Sequence, residues 1–512
     1  MQDALNQLSP KLKGVFSQLV DDHKRALIEI RMLREQLRLR RIEKFGRRSE
    51  KLTDEQLELL EGEPSVAPAE VEQEANQAEE APAKPRRKKR KAHPGRVELP
   101  AHLERREVKI PCSPQDCICP HCQGEKKIIG YDRSEELDVI PAQHFVTVTL
   151  REKRACPLHP EGGVTRADCP PKIVPKSKLS NAMIVDVLVR KYGDHLPAYR
   201  QSMILQRDAG IDLSRKTLIS LIMKSGELLE ALIPSLKSNL FEGHYIQADE
   251  TQVPCQSPDV VGRNHRAFMW EFSRPQGPVL FEFQMGRERA IPKKFLEGFK
   301  GVLQSDAYAV YDKLGDGIAY SACWAHMRRE FHRAHMLAKE DPRPLEIIGK
   351  IGKLYKLEDQ ARVAMITHKE RQALRAEKSR PLVKELKERI LAIRCESDVL
   401  PAAQLGKACN YAMKQWTRLE LFLGNGQIEI DNNWCENAIR PLAIGRKNWL
   451  HIGSEEAGPR VAAITSIFET CRRLNINVRD YLLDVLPQLP EWPMKKVAEL
   501  SPLFWKPRQS SL

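Results

Sequence analysis

Three carboxylates are spaced along the chain as a phosphoryl-transfer site would require. Asp249 closes the run His244-Tyr-Ile-Gln-Ala-Asp-Glu250, Asp306 closes Val302-Leu-Gln-Ser-Asp306, and Glu436 lies in Asp431-Asn-Asn-Trp-Cys-Glu-Asn-Ala-Ile-Arg-Pro441. Any one of these acids, taken alone, reads as a solvated or salt-bridged surface group. Together they supply the hard oxygen ligands that suit Mg2+ or Mn2+. Two such ions, about 3.5–4 Å apart, activate an attacking oxygen and stabilise a leaving oxygen in an in-line displacement at phosphorus.

The elements that must position them follow from pattern. Residues 244–250 alternate as a strand, as do 267–273 and 279–284, with turn signals at Arg263-Asn264 and Pro275-Gln276-Gly277. A helix-like stretch over 288–299 precedes the short strand that delivers Asp306. Strand, strand, strand, helix, strand is the ribonuclease-H-like layout, in which the first and fourth strands lie side by side and bring Asp249 and Asp306 together. Glu436 is expected from a later helix. With Asp431 as its N-cap, Asn433, Glu436, Asn437 and Arg440 share one face, a polar stripe that a merely packed helix does not need. The amides would hold the metal carboxylate and Arg440 would reach phosphate.

Twelve cysteines occur, six of them between Cys112 and Cys169, a crowding that in a reducing compartment points to a metal site. Cys119-Pro-His-Cys122 and Cys156-Pro-Leu-His159 form a Cys3His zinc candidate for one structural ion. The 33 residues between the pairs (123–155) exceed the usual spacer of about 15–20, but alternation over Phe145 to Leu150 would supply a hairpin. Cys169 is an alternative to His159, and Cys112 and Cys117 compete. Cys323 and His326 also have metal-pair spacing; with no partner pair nearby in sequence they read first as a structural helix start, and second as a role in placing DNA.

The formal net charge of +14 suits a partner rich in phosphates. No apolar run reaches the ~18 residues of a membrane span and no signal segment opens the chain, so it reads as cytosolic, without a membrane partner. Lys84 to Lys91 carry seven basic residues in eight positions, a flexible arm for phosphate backbone or a solvated spacer. After the break at Ala209-Gly210, Ser214 is a candidate N-cap for a recognition helix presenting Arg215 and Lys216, in a unit that equally fits a plain helical bundle. Arg446 and Lys447 are further candidate DNA contacts.

The expected organisation is multidomain α+β. Residues 1–60 hold a leucine-zipper-like, coiled-coil helix for self-association or packing, and 61–96 a linker with the basic arm. The zinc-ribbon-like module covers 97–174 and a helix-turn-helix-like helical unit 175–238. The ribonuclease-H-like catalytic core occupies 239–336 and 426–470, split by a helical insertion at 337–425, with 471–512 as a C-terminal segment.

The landmarks Phe45-Gly-Arg-Arg-Ser-Glu-Lys-Leu52, His93-Pro-Gly-Arg96, Lys191-Tyr-Gly-Asp-His-Leu-Pro-Ala-Tyr-Arg200, Ala248-Asp-Glu-Thr251, Ser305-Asp-Ala-Tyr308, Cys323-Trp-Ala-His326 and the run from Asp431 through Leu450 occur in one order along the chain. In these the sequence resembles the DDE transposases of the insertion sequence 66 family. The resemblance implies Asp249, Asp306 and Glu436 as the catalytic set with two Mg2+ or Mn2+ ions, a zinc module and a DNA-binding helical unit. It also implies terminal inverted repeats and target DNA as partners, homo-oligomers, small accessory proteins from the same element, and action at the bacterial nucleoid. The family commonly has a second CxxC where this chain has Cys156 and His159. A DNA-binding regulator without catalysis and a plain nuclease of the same fold are the alternative readings.

Overall fold

The computed structural model describes residues 104–505 except 111–116, 118–120, 122–123, 126, 133, 138–141, 156–157, 159–162, 259–262 and 307. The N-terminal helix, the basic arm and the zinc candidates Cys112, Cys119, Cys122, Cys156 and His159 lie outside the described residues. The chain divides between Glu152 and Lys153 into two compact units.

In residues 104–152 the described positions form no helix and no ladder of strands. Local contacts are few: the Lys109 ammonium lies 5.8 Å from the Tyr131 ring centre, and Arg105 pairs with Glu135 at 3.6 Å. The hairpin expected at Phe145 to Leu150 is not formed; Phe145, Val146, Val148 and Leu150 are all exposed. Alternation specifies a strand only where another surface covers its apolar face, and here none of these side chains is covered. The short ribbon lies beyond the expected segment, as β1 (Lys153–Ala155) antiparallel to β2 (Val164–Arg166).

In the second unit, which opens with this ribbon, four helices follow. Ser180 caps α1 (Asn181–Tyr192) by accepting from the Met183 N–H. Helix α2 (Ala198–Ala209) ends at Gly210, whose φ of 64° is the left-handed conformation that releases the chain from the helix. Ser214 then caps α3 (Arg215–Glu230), accepting from Thr217 N–H at 3.1 Å, so the N-cap read from sequence is the one formed. Helix α4 (Ile233–Glu242) leads into the sheet.

The sheet comprises β3 (Tyr245–Cys255), β4 (His265–Ser273), β5 (Val279–Gln284), β6 (Gly301–Ser305) and β7 (Ile318–Ala322). Its order is β5-β4-β3-β6-β7, with β3–β4 and β4–β5 antiparallel and β3–β6 and β6–β7 parallel. The first and fourth strands of the sheet are thus neighbours. Gly301 permits this approach: its φ is 153°, and a Cβ there would fall 2.2 Å from the His244 carbonyl oxygen. The helix between β5 and β6 is α5 (Ala290–Phe295), shorter than the 288–299 stretch expected, because Phe299 folds back on Leu296 through a turn.

Between β7 and the Glu436 region stand α6 (Trp324–Leu337), α7 (Pro342–Val363), α8 (His368–Leu374), α9 (Arg380–Cys395) and α10 (Gln404–Glu420), with one π-helical turn, Arg375–Ser379, joining α8 to α9. They bury their own apolar cluster, including Trp324, Phe331, Ile351, Leu386 and Trp416. The chain returns through α11 (Asn433–Trp449), α12 (Ala457–Arg473) and α13 (Val478–Val485).

A second cluster joins α1, α3 and α4 to the sheet, α12 and α13, so the helices of the 175–238 segment share one core with the strands. Helix α12 also satisfies the outer edge of β5: Ser466 Oγ accepts from Phe281 N–H at 2.8 Å and Thr470 Oγ1 from Val279 N–H at 3.0 Å. That edge is therefore closed to further strand pairing. Among the described residues no helix is long and apolar enough to cross a membrane.

Candidate active site

Strand β3 carries Asp249 on the face it shares with Gln247, and Asp306 follows directly on the end of β6. Gln247 and Gln304 are register partners on the parallel pair, so the two aspartates, each two residues further on, stand side by side; Asp306 follows the end of β6, whereas Asp249 lies within β3, which runs on to Cys255 and so corrects the strand end expected near 250. Asp249 Oδ1 accepts from the Glu250 N–H at 2.8 Å and Asp306 Oδ1 from the Tyr308 N–H at 2.9 Å, which fixes both carboxylates in orientation. Glu436 arrives from α11. Both of its carboxylate oxygens are buried without a hydrogen-bond partner among the described residues.

Helix α11 begins at Asn433, with Asn432 as its cap residue and no side-chain cap bond, which corrects the expected Asp431 cap by one position. Asp431 instead accepts from the Asn433 backbone at 3.1 Å and from its side-chain amide at 3.0 Å. The one-residue offset arises because Asp431 is held in the sheet network: its carbonyl accepts from Gln247 Nε2 at 2.8 Å.

That network also seats the helix. Gln247 Nε2 donates to Gln304 Oε1 at 2.8 Å, Gln304 Nε2 to the Glu429 carbonyl at 2.9 Å, and the Glu429 N–H to Tyr245 Oη at 3.0 Å. Asn432 Nδ2 reaches the Ala248 carbonyl and the Cys435 N–H reaches Gln247 Oε1, both at 3.3 Å. Residues 429–435 are thereby bonded to the two strands that carry the aspartates. Sequence reasoning missed these residues, although the signal was present: Gln-x-Asp occurs at both aspartates, and a glutamine inside a central strand needs buried partners.

The electrostatics are those of acids crowded away from water. Burial, then the charges of Asp306, Glu250 and Glu436, hold Asp249 well above the ordinary carboxylate value. Burial pushes Glu436 up to about 8; Arg329 and Arg440 pull it down while Asp431 and Asp306 push it up. Asp306 is raised by burial, against the Tyr308 N–H, Arg287 and Arg329. For acids raised in this way, an added cation favours the ionised form.

Flanking residues complete the surroundings. Glu250 takes Arg287 Nε at 2.8 Å and the Tyr311 hydroxyl, and the Arg287 guanidinium stacks 3.9 Å from the Tyr308 ring centre. Glu271, opposite Asp249 on β4, accepts from the Cys435 thiol and is raised by burial to about 7. Cys323 caps α6 as the sequence suggested, but the expectation that it and His326 lack partners is corrected: Glu436, remote in sequence, is folded against them.

Of the candidate DNA contacts, Arg215, Lys216, Arg440 and Lys447 are exposed. Arg446 is engaged within the fold, its NH1 donating to Thr251 Oγ1 at 2.7 Å and to the Gln252 carbonyl, which fastens the end of α11 to β3.

Residues 176–460 match the family model described as "Transposase IS66 family". The chain belongs to this family. Within it, residues 116–157 match the zinc-finger binding domain of IS66 transposases, and residues 32–108 match a model described as "Transposase C of IS166 homeodomain". Among curated proteins, y4qI of Sinorhizobium fredii is 34% identical over 485 residues, covering 90% of this chain and 86% of the relative. A second protein of that organism, y4hP, is 30% identical over 512 residues, covering 94% and 88%. Both relatives are named as uncharacterised. The IS66 family region spans the whole sheet, the insertion and α11, so Asp249, Asp306 and Glu436 all fall inside it. Family membership supports a transposase with DNA as its partner and a zinc-binding domain.

Proposed function

We propose that the chain is a DDE transposase that cuts a DNA strand at each end of its mobile element and joins the freed 3′-hydroxyl to target DNA. The reading rests above all on one observation: two aspartates at corresponding positions of neighbouring parallel strands are electrostatically coupled to a glutamate whose buried oxygens have no hydrogen-bond partner among the described residues. The strand order supports a ribonuclease-H-like core, split by the helical insertion.

Asp249, Asp306 and Glu436 would hold two Mg2+ or Mn2+ ions, and the donor set fits: three carboxylates, raised in pKa by burial and, for Asp249 and Glu436, also by neighbouring acids. When bound, such ions supply activation of the attacking oxygen and stabilisation of the leaving oxygen. The backbone amides of Glu250 and Tyr308 orient the two aspartates, and the Gln247–Gln304 network ties the start of α11, the helix that bears Glu436, to the strands that carry them. Arg440, exposed one turn beyond Glu436, is suited to a DNA phosphate.

For the remaining regions we propose a zinc site of Cys119, Cys122, Cys156 and His159, and a recognition role for Arg215 and Lys216 at the exposed start of α3. Lys447 is a further proposed phosphate contact, and oligomers would pair the two element ends. The test is a strand-transfer assay on oligonucleotides bearing the element's ends. Pre-cut ends whose last element nucleotide is 3′-deoxy should lose joining completely while pre-cut ends with a 3′-hydroxyl join; joining through a blocked pre-cut end would refute the proposed chemistry.

A further inference from the structure

Cys323 at the start of α6, His326 on its first turn and Glu436 on α11 each present one ligand atom to a common space, and these three atoms all lie within 4.8 Å of one another. His326 Nδ1 is 3.8 Å from Glu436 Oε1, too far for a hydrogen bond. The His326 nitrogen and both Glu436 oxygens are buried and without hydrogen-bond partners among the described residues. Buried polar atoms of this kind are rare in native folds unless something else meets them. Cys323 is fully buried, and burial with the charges of Asp431 and Glu436 holds its thiol well above the ordinary value, against the Asn432 N–H that its sulfur accepts at 3.3 Å; a bound cation would favour the thiolate.

We propose that Cys323, His326 and Glu436 form a second site, overlapping the proposed catalytic set at Glu436, for a borderline-soft divalent ion, Zn2+ by preference, with a fourth position open to an oxygen ligand. Thiolate and imidazole select such an ion over magnesium, which takes oxygen. Three protein ligands and one open position are the arrangement of reactive zinc sites. Charge balance agrees: a thiolate, a carboxylate and a neutral imidazole bring two negative charges to a dication. The other charged groups around Glu436 include Arg329, at 3.9 Å from Oε1, with Arg440, Asp431, Asp306 and Asp249. Ligand atoms around a tetrahedral zinc stand roughly 3.3–3.6 Å apart, so with all three atoms within 4.8 Å of one another filling would close no separation by more than about 1.5 Å.

The site shares Glu436 with the proposed catalytic set but uses neither Asp249 nor Asp306. It would therefore draw the glutamate toward a softer ion than the aspartates hold.

Cobalt(II) titration of the metal-free, full-length protein in excess Mg2+ tests this, read by thiolate-to-cobalt charge-transfer absorption. Wild type minus Cys323→Ser should leave a positive difference spectrum worth one thiolate, because any contribution from the zinc module is common to both. His326→Gln should weaken binding of that component at least about tenfold. Asp249→Asn should keep it whole. Wild-type spectra in both Cys323→Ser and His326→Gln, or loss of the component in Asp249→Asn as well, would overturn the assignment. Failure of the catalytic reading registers separately, as strand cleavage retained by Asp249→Asn.

Discussion

Gln247 and Gln304 face each other across the parallel strands β3 and β6, joined side chain to side chain at 2.8 Å, and each stands two residues before an aspartate of the candidate site. The pair ties the strand ends to the carbonyls of Asp431 and Glu429, and so to the start of the helix bearing Glu436. Gln304→Leu keeps the volume but orphans its buried partners, which costs about 1–3 kcal/mol. Urea melts should register that loss, and strand cleavage should fall while affinity for DNA holds. Unchanged cleavage would mean that the network serves stability alone.

The insertion is anchored to the same segment. Arg371 pairs with Glu429 at 2.7 Å and with Glu358 at 2.6 Å, and the fully buried Arg375 pairs with Glu358 at 2.7 Å. Burial alone would raise Glu358, but the Arg375 and Arg371 guanidiniums outweigh it and hold the acid below its ordinary 4.5. A carboxylate depressed in the folded state adds stability above its unfolded value and loses it as pH falls through the folded value. Glu358→Gln should thus be markedly destabilising at pH 7, by about 3–5 kcal/mol for a broken buried pair, and progressively less so below 4.5. Denaturant melts of both proteins across that range provide the check, and a penalty independent of pH would exclude the ionised pair as its source.

Metal binding should be visible without any DNA. An ion that binds only the native state stabilises it by about 2.7 kcal/mol at a hundred times its dissociation constant. Mn2+ should therefore raise the melting temperature of the wild type. Asp306→Asn should show a smaller metal-dependent rise and, relieved of one buried charge, a higher melting temperature in chelator. Calorimetry on matched samples would reveal a site that is not metal-binding if the two proteins responded alike.

Arg215 stands exposed on the first turn of α3, where the capping bond from Ser214 fixes the helix start. If it meets a base edge, Arg215→Ala should weaken binding to the element's terminal DNA by about 1–3 kcal/mol with little loss on random sequence. Neutralising the basic residues in Lys84 to Lys91 should lower affinity for all DNA and flatten its salt dependence. Competition binding at two salt concentrations separates these. Equal losses on both DNAs for Arg215→Ala would confine that helix to backbone contacts.

Much of the sheet was legible because turn residues break its strands; β5 was read to the residue and Asp306 directly follows its strand, whereas β3 runs past the expected end at 250 to Cys255 and β7 was not foreseen. Ser214 was legible as a cap because capping is local. What escaped was non-local. Asp431 looked like a cap in its own segment, and only the Gln247 contact from 184 residues away moves the helix start to Asn433. Cys323 and His326 seemed unpartnered because their neighbour Glu436 is remote in sequence. Phe145 to Leu150 alternate like a strand, yet alternation says nothing about whether a covering surface exists. Arg446 read as a DNA contact because sequence cannot show that Thr251 and Gln252 already occupy its guanidinium.

The central claim is that Asp249, Asp306 and Glu436 act as one metal-holding set. It is met most directly by incubating end-labelled terminal DNA with Mg2+ and each of Asp249→Asn, Asp306→Asn and Glu436→Gln, measuring cleavage and binding in the same samples. All three variants should bind the DNA nearly as the wild type does and cut it at background rate. Cleavage at wild-type rate by any one of them would remove that residue from the set and contradict the account.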